Sequence, residues 1–139
     1  MIKALVFDMD GVIIDSEPIQ CEIAVAVMRS FGAEPSPSEL YEFIGVTNQT
    51  MWPILKERHN IKASVEELLE RQQEYKKKRF FQEPIEAIDG IGDLVKTAVA
   101  KGLKIALATS SPRYFAEHIL KTTGLMPYFD VMVTADDIT

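Results

Sequence analysis

The chain is poor in the residues that staple a protein or anchor it in a membrane. It holds one cysteine, Cys21, and two histidines, His59 and His118, in 139 residues. No intramolecular disulfide can form, and the two imidazoles are far apart with no partners at ligand spacing, so an imidazole-centred metal site is not expected. The lone thiol reads as structural, in keeping with a reducing, cytoplasmic location. A chain of this length buries roughly two thirds of the surface exposed when unfolded, enough for a core without staples. Long apolar runs are missing too. None approaches the roughly 20 residues that span a bilayer, and the run at residues 1–7 is ended by Asp8 too early for a secretory signal. Basic residues are in deficit, 15 against 21 acidic for a net charge of -6, which argues against nucleic acid as a partner. The one basic run, Lys76-Lys77-Lys78-Arg79, follows Glu66, Glu67, Glu70 and Glu74 and is expected to form a solvated helical face. The single tryptophan, Trp52, is assigned to a core.

What is present, 47% hydrophobic and 26% charged, suits a soluble globular domain with a small insert. Residues 2–7 are nearly continuously apolar, the pattern of a parallel strand buried on both faces. Residues 103–109 repeat that theme after a helix expected from Gly90 to Ala100, with Ile91, Leu94, Val95 and Ala98 at helical spacing. Gly90-Ile91-Gly92 therefore reads as a helix start, not a dinucleotide fingerprint. A further helix has Pro112 in its first turn and ends at Gly124, and residues 129–134 read as a third strand. Between the first strand and Gly90 the texture is helical. Ile19, Ile23, Val27 and Phe31 keep helical spacing behind Pro18, Pro35 and Pro37 separate helices, and Ser64 with Glu67 forms a capping box ahead of a long helix. The expected fold is α/β, a Rossmann-like parallel sheet of three strands with an inserted helical cap domain. Its core would be residues 1–15 and 84–139 and its cap residues 16–83.

Two places carry chemistry. Asp8-Met9-Asp10-Gly11 puts two carboxylates at the carboxyl end of a parallel strand, where open α/β sheets bind ligands; the same residues could simply begin a turn. A helix-loop-helix calcium site is excluded because Val12 and Ile13 stand where an oxygen ligand and a glycine are needed. The second place, Thr109-Ser110-Ser111-Pro112, joins a strand end to a helix start, where free N–H groups attract phosphate, unless Ser110 or Ser111 merely caps the helix. With the two strands adjacent, the carboxylates would lie beside an anion cradle, the equipment for phosphoryl transfer with a divalent cation.

The segment from Asp8 to Pro18 resembles the first motif of the haloacid dehalogenase superfamily, and Ile105 to Pro112 resembles its second. Within that superfamily the chain is similar to the branch of β-phosphoglucomutase and sugar-phosphate phosphatases. The resemblance implies that Asp8 attacks phosphorus to form an aspartyl phosphate while Asp10 protonates the leaving oxygen and later activates water. It implies that Thr109, the Ser110 amide and the Gly11 turn hold the phosphoryl group, and that Asp8 and the Asp10 carbonyl bind Mg2+. It points to a phosphatase of a small phosphorylated metabolite, with a phosphomutase as the alternative. Gln20 and Asn48 stand where the mutases carry a histidine and an arginine, and the loop from Gly45 to Asn48 resembles the substrate-facing cap loop. This departure favours the phosphatase.

The family pattern continues past the third strand with a lysine motif and an acidic motif, whereas this chain ends at Asp136-Asp137-Ile138-Thr139. Those two aspartates come too early for the acidic motif and are expected in a solvated turn. The chain alone is accordingly expected to be inactive, to bind magnesium weakly and to self-associate through an exposed first strand. It could also be a noncatalytic fragment or interaction module.

Overall fold

The computed structural model describes residues 1–138; Thr139, the last residue of the expected core segment, lies outside them. The chain divides into two compact units. One comprises residues 1–16 and the segment from Pro84 onward, the other Glu17–Glu83.

In the first unit three strands, β1 (Ala4–Phe7), β2 (Lys104–Ala108) and β3 (Val131–Val133), form a parallel sheet in that order. Phe7 faces Leu107 across the β1–β2 pair, and Ala108 faces Val133 across the β2–β3 pair. The connecting helices are α5 (Ile91–Ala100), between β1 and β2, and α6 (Arg113–Thr122), between β2 and β3. Because the strand order steps in one direction, right-handed crossovers put both helices on the same sheet face. That explains a departure from the expectation of a first strand buried on both faces. Phe7, Ile105 and Leu107 are buried, while Val6, the register partner of Ala106, is 69% exposed, and Val131 and Val133 are exposed on the same side. Among the described residues β1 pairs on one edge only.

The third strand is shorter than residues 129–134. At its start the Asp130 N–H still donates to the Ile105 carbonyl (2.8 Å), and the Asp130 carboxylate takes the Ile105 N–H (2.9 Å). At its end Thr134 leaves the ladder to cap a 3-10 turn over Ala135–Asp137. Phe129 packs edge-on against Phe7, with ring centroids 6.1 Å apart.

The second unit is helical: most of α1 (Ser16–Ser30), then α2 (Pro37–Leu40), a 3-10 turn over Tyr41–Phe43, α3 (Asn48–Arg58) and α4 (Val65–Gln82). The capping box at the head of α4 forms, with the Glu67 N–H donating to Ser64 Oγ (3.1 Å) and the Ser64 N–H to the Glu67 carboxylate (2.7 Å). Two orphan helix donors are thereby satisfied reciprocally. Met28, Trp52, Leu55, Leu68 and Phe80 are fully buried. The basic run is not uniformly solvated. Arg79 pairs with Glu83 (3.2 Å), and Arg71 lies over the Phe31 ring at 4.8 Å and pairs with Glu74, the acid expected to face Lys78.

Candidate active site

β1 and β2 are neighbours in parallel register, so the chain leaves both at the same end of the sheet, with Asp8 following Phe7 and Thr109 following Ala108. The segment after β1 is a tight turn folded on one carbonyl. Met9 C=O accepts from the N–H groups of Val12 (3.2 Å), Ile13 (2.8 Å) and Ile14 (3.3 Å), and the Gly11 N–H donates to Ile14 C=O (2.8 Å). Gly11 has a φ of 75°, a left-handed conformation that costs other residues roughly 1–2 kcal/mol. Met9, Ile13 and Ile14 are fully buried, and the Ile88 N–H fastens Ile13 C=O at 2.8 Å. Burying these three leaves Asp8, Asp10 and Gly11 exposed at the sheet end. Asp8 Oδ1 accepts its neighbour's N–H, from Met9, at 2.7 Å, which orients the carboxylate.

Thr109 is 7% exposed; its N–H donates to Val133 C=O (3.0 Å) and its Oγ1 accepts the Ser111 N–H (3.1 Å). Ser110 is exposed beside it. The helix start differs from the expected set of free donors. Pro112 is the residue before α6, not within its first turn, and neither serine caps the helix through its side chain. The Arg113 N–H donates to Asp136 Oδ2 (2.8 Å), and those of Phe115 and Ala116 to Pro112 C=O. An anion held here would therefore depend on Thr109 and Ser110 more than on the α6 terminus.

Asp136 and Asp137 stand exposed in a short turn, as expected, but that turn is also clasped by hydrogen bonds. Asp137 Oδ2 accepts from the Thr134 N–H (2.7 Å), the Thr134 hydroxyl (3.0 Å) and Arg113 Nη2 (2.7 Å), while Arg113 Nη2 also donates to Met132 C=O (3.0 Å). The Ala135 N–H reaches Ser111 C=O at 3.0 Å. Together these bonds stitch the loop after β2 to the loop after β3. The Thr134 N–H and hydroxyl, with the Arg113 guanidinium, hold the Asp137 carboxyl below its ordinary value of 3.8. A depressed folded-state pKa contributes stability that is present above the unfolded value and lost as pH falls through the folded one. In acid titrations followed by thermal unfolding, Asp137→Asn should therefore be less stable than the wild type at neutral pH, with the gap closing only below pH 3.8. A gap that does not change with pH would contradict this latch.

The hard oxygens of Asp8 and Asp10 suit a divalent cation such as magnesium. Among the described residues no three His, Cys, Asp or Glu side chains gather to hold one, so a cation placed here would take only part of its coordination sphere from these two. His59 is engaged elsewhere, 2.9 Å from Glu39, which also pairs with Arg58 (2.8 Å).

Gln20, Gly45 and Asn48 line one open pocket of about 350 Å³ within the helical unit, together with Glu17, Cys21 and Lys76. Gly45, at φ 82°, turns the loop before α3, and Thr47 caps that helix by accepting the Thr50 N–H (3.3 Å). Burial, reinforced by Glu17, raises the pKa of the Cys21 thiol and keeps it protonated. Sequence reasoning missed Gln72, which is 2% exposed and bonds both Trp52 and Asn48. A glutamine whose partners lie 20 and 24 residues away leaves no local signal.

Residues 5–139 match the family profile described as haloacid dehalogenase-like hydrolase. A phosphorylated carbohydrates phosphatase of Thermotoga maritima is 39% identical over 137 residues, 98% of this chain and 62% of that protein. Hexitol phosphatase B of Escherichia coli is 29% identical over 139 residues, 99% of this chain and 62% of that protein. Among solved structures, a Thermotoga maritima protein provisionally named beta-phosphoglucomutase superposes with a TM-score of 0.85 at 35% identity, covering 99% of this chain and 63% of that one. The chain thus spans less than two thirds of the length of these relatives.

Proposed function

This chain belongs to the haloacid dehalogenase-like hydrolase family, and on that premise we propose that the protein carrying it is a phosphatase of a small phosphorylated metabolite, a sugar phosphate in the first instance. The observation that carries the reading is the position of Asp8-Met9-Asp10-Gly11 at the end of β1, next to Thr109 at the same end of the adjacent β2. A carboxylate nucleophile, a second carboxylate two residues on and a hydroxyl with a free neighbouring serine suit phosphoryl transfer better than any other reaction these residues could support.

In this reading an oxygen of Asp8 attacks phosphorus, the ester P–O bond breaks, and Asp10 protonates the departing alkoxide. Asp10 then takes a proton from water as that water attacks phosphorus, the bond to Asp8 breaks, and inorganic phosphate leaves. Thr109 and Ser110 hold the phosphoryl oxygens, and Gly11 lets the backbone turn beneath them. Mg2+ held in part by Asp8 and Asp10 would offset the negative charge of substrate and nucleophile. Gln20, Gly45 and Asn48, which line the pocket of the helical unit, are assigned to substrate recognition. We place the enzyme in the cytoplasm; copies of the chain taken alone would associate through the unpaired edge of β1.

The test is a panel of sugar and sugar-alcohol phosphates offered to the whole protein with magnesium. Phosphate release from at least one is expected. Interconversion of phosphate isomers with little release would replace the phosphatase with a phosphomutase, and no turnover of either kind would overturn the reading in favour of a noncatalytic module.

A further inference from the structure

The pocket of the helical unit has a hydrogen-bonding polarity fixed from behind by a buried relay. The indole N–H of Trp52 can only donate. It donates to Gln72 Oε1 at 2.9 Å, and both residues are buried. With its oxygen committed to the indole, Gln72 turns its NH2 the other way, where Nε2 donates to Asn48 Oδ1 at 3.3 Å. Asn48 therefore has its oxygen committed inward, and what it retains for the pocket it lines is its NH2 group. Reversing Gln72 would set two donors against each other at the buried indole, at a cost of roughly 1–3 kcal/mol for the unsatisfied group, and reversing Asn48 would oppose two donors at a partly buried contact.

We infer that Trp52 and Gln72 hold Asn48 as an obligate hydrogen-bond donor, so that the pocket selects ligands presenting an acceptor oxygen to Asn48. Gln72 is a positioning residue in this scheme, acting through Asn48, and Asn48 determines specificity. The inference rests on the proposed phosphatase reading for the identity of the ligand, but the relay itself does not depend on it.

Two isosteric substitutions invert the polarity from different positions. In Gln72→Glu the carboxylate still accepts from Trp52 but can no longer donate, so Asn48 must reverse and present its oxygen to the pocket. In Asn48→Asp the side chain accepts from Gln72 and presents a carboxylate. With the best substrate of the panel, each variant of the whole protein should raise KM by roughly 10- to 100-fold, the loss of one donor hydrogen bond, with a larger change in KM than in kcat. A Gln72→Glu protein that melts earlier but keeps its KM would reduce Gln72 to packing and overturn the inference. The side-chain amide NMR signals of Asn48 keep the relay testable even if no phosphate is released. Gln72→Met should shift them strongly, and unmoved signals would overturn the relay, whereas shifted signals without any turnover would sink only the phosphatase reading.

Discussion

Asp8→Asn should lower phosphate release by the whole protein by about 10³-fold or more, the scale of losing a covalent nucleophile, while leaving the unfolding transition where it was. The two halves of this expectation have separate causes. Asn lacks the anionic oxygen that must attack phosphorus, and its neutral amide is a far weaker nucleophile. Yet the side chain at this position is exposed, and its Oδ1 accepts the Met9 N–H at 2.7 Å, a bond that Asn can also accept. The turn is held by Met9, Ile13, Ile14 and the Ile88 N–H, none of which is changed. A variant with wild-type turnover would remove Asp8 from the chemistry. One that fails to fold would show that the turn depends on the charge.

The second large effect is structural. Trp52→Ala should destabilise the helical unit by about 3–5 kcal/mol, a substantial part of the roughly 5–15 kcal/mol that holds a typical domain folded. Trp52 has no exposed surface and lies in the core with Leu55, Leu68 and Phe80. Its removal leaves a cavity and deprives Gln72 Oε1 of its donor. Trp52→Phe keeps most of the volume and loses only the hydrogen bond, so it should cost less, about 1–3 kcal/mol. Chemical denaturation of both variants checks the ordering. A loss below 1 kcal/mol for Trp52→Ala would mean that the unit repacks around the gap.

What could be read from the sequence depended on how far apart the interacting groups lie along the chain. The capping box of Ser64 and Glu67 spans three residues and is present as expected. The apolar runs at residues 2–7 and 103–109 gave strands β1 and β2, because a short, nearly continuous apolar run is itself the signal. Their burial was overestimated, since which face a helix covers depends on strand order and not on the run. Thr134 and Asp137 also carry a short-range signal, a hydroxyl with a carboxylate three residues on; the expectation of an exposed turn held, but the cap within it went unread. Arg113 was out of reach for another reason. Its partners Met132 and Asp137 lie 19 and 24 residues away and meet it only once β2 and β3 are paired. Asp8, Asp10, Gly11 and Thr109 were legible as candidates because each follows directly on a recognisable strand, whereas Gln72 sits within an otherwise polar helical stretch and is distinguished only by its burial.

Trapping the covalent intermediate tests most directly whether Asp8 carries the phosphoryl group. The whole protein is mixed with a turned-over substrate and magnesium, quenched within a single turnover, and treated with borohydride, which reduces an acyl phosphate to the alcohol; peptide mass spectrometry then reads residue 8. Homoserine at position 8, formed only when substrate is present and absent from Asp8→Asn, is the predicted result. Phosphate release with position 8 unmodified, or with the label on another carboxylate, would contradict it.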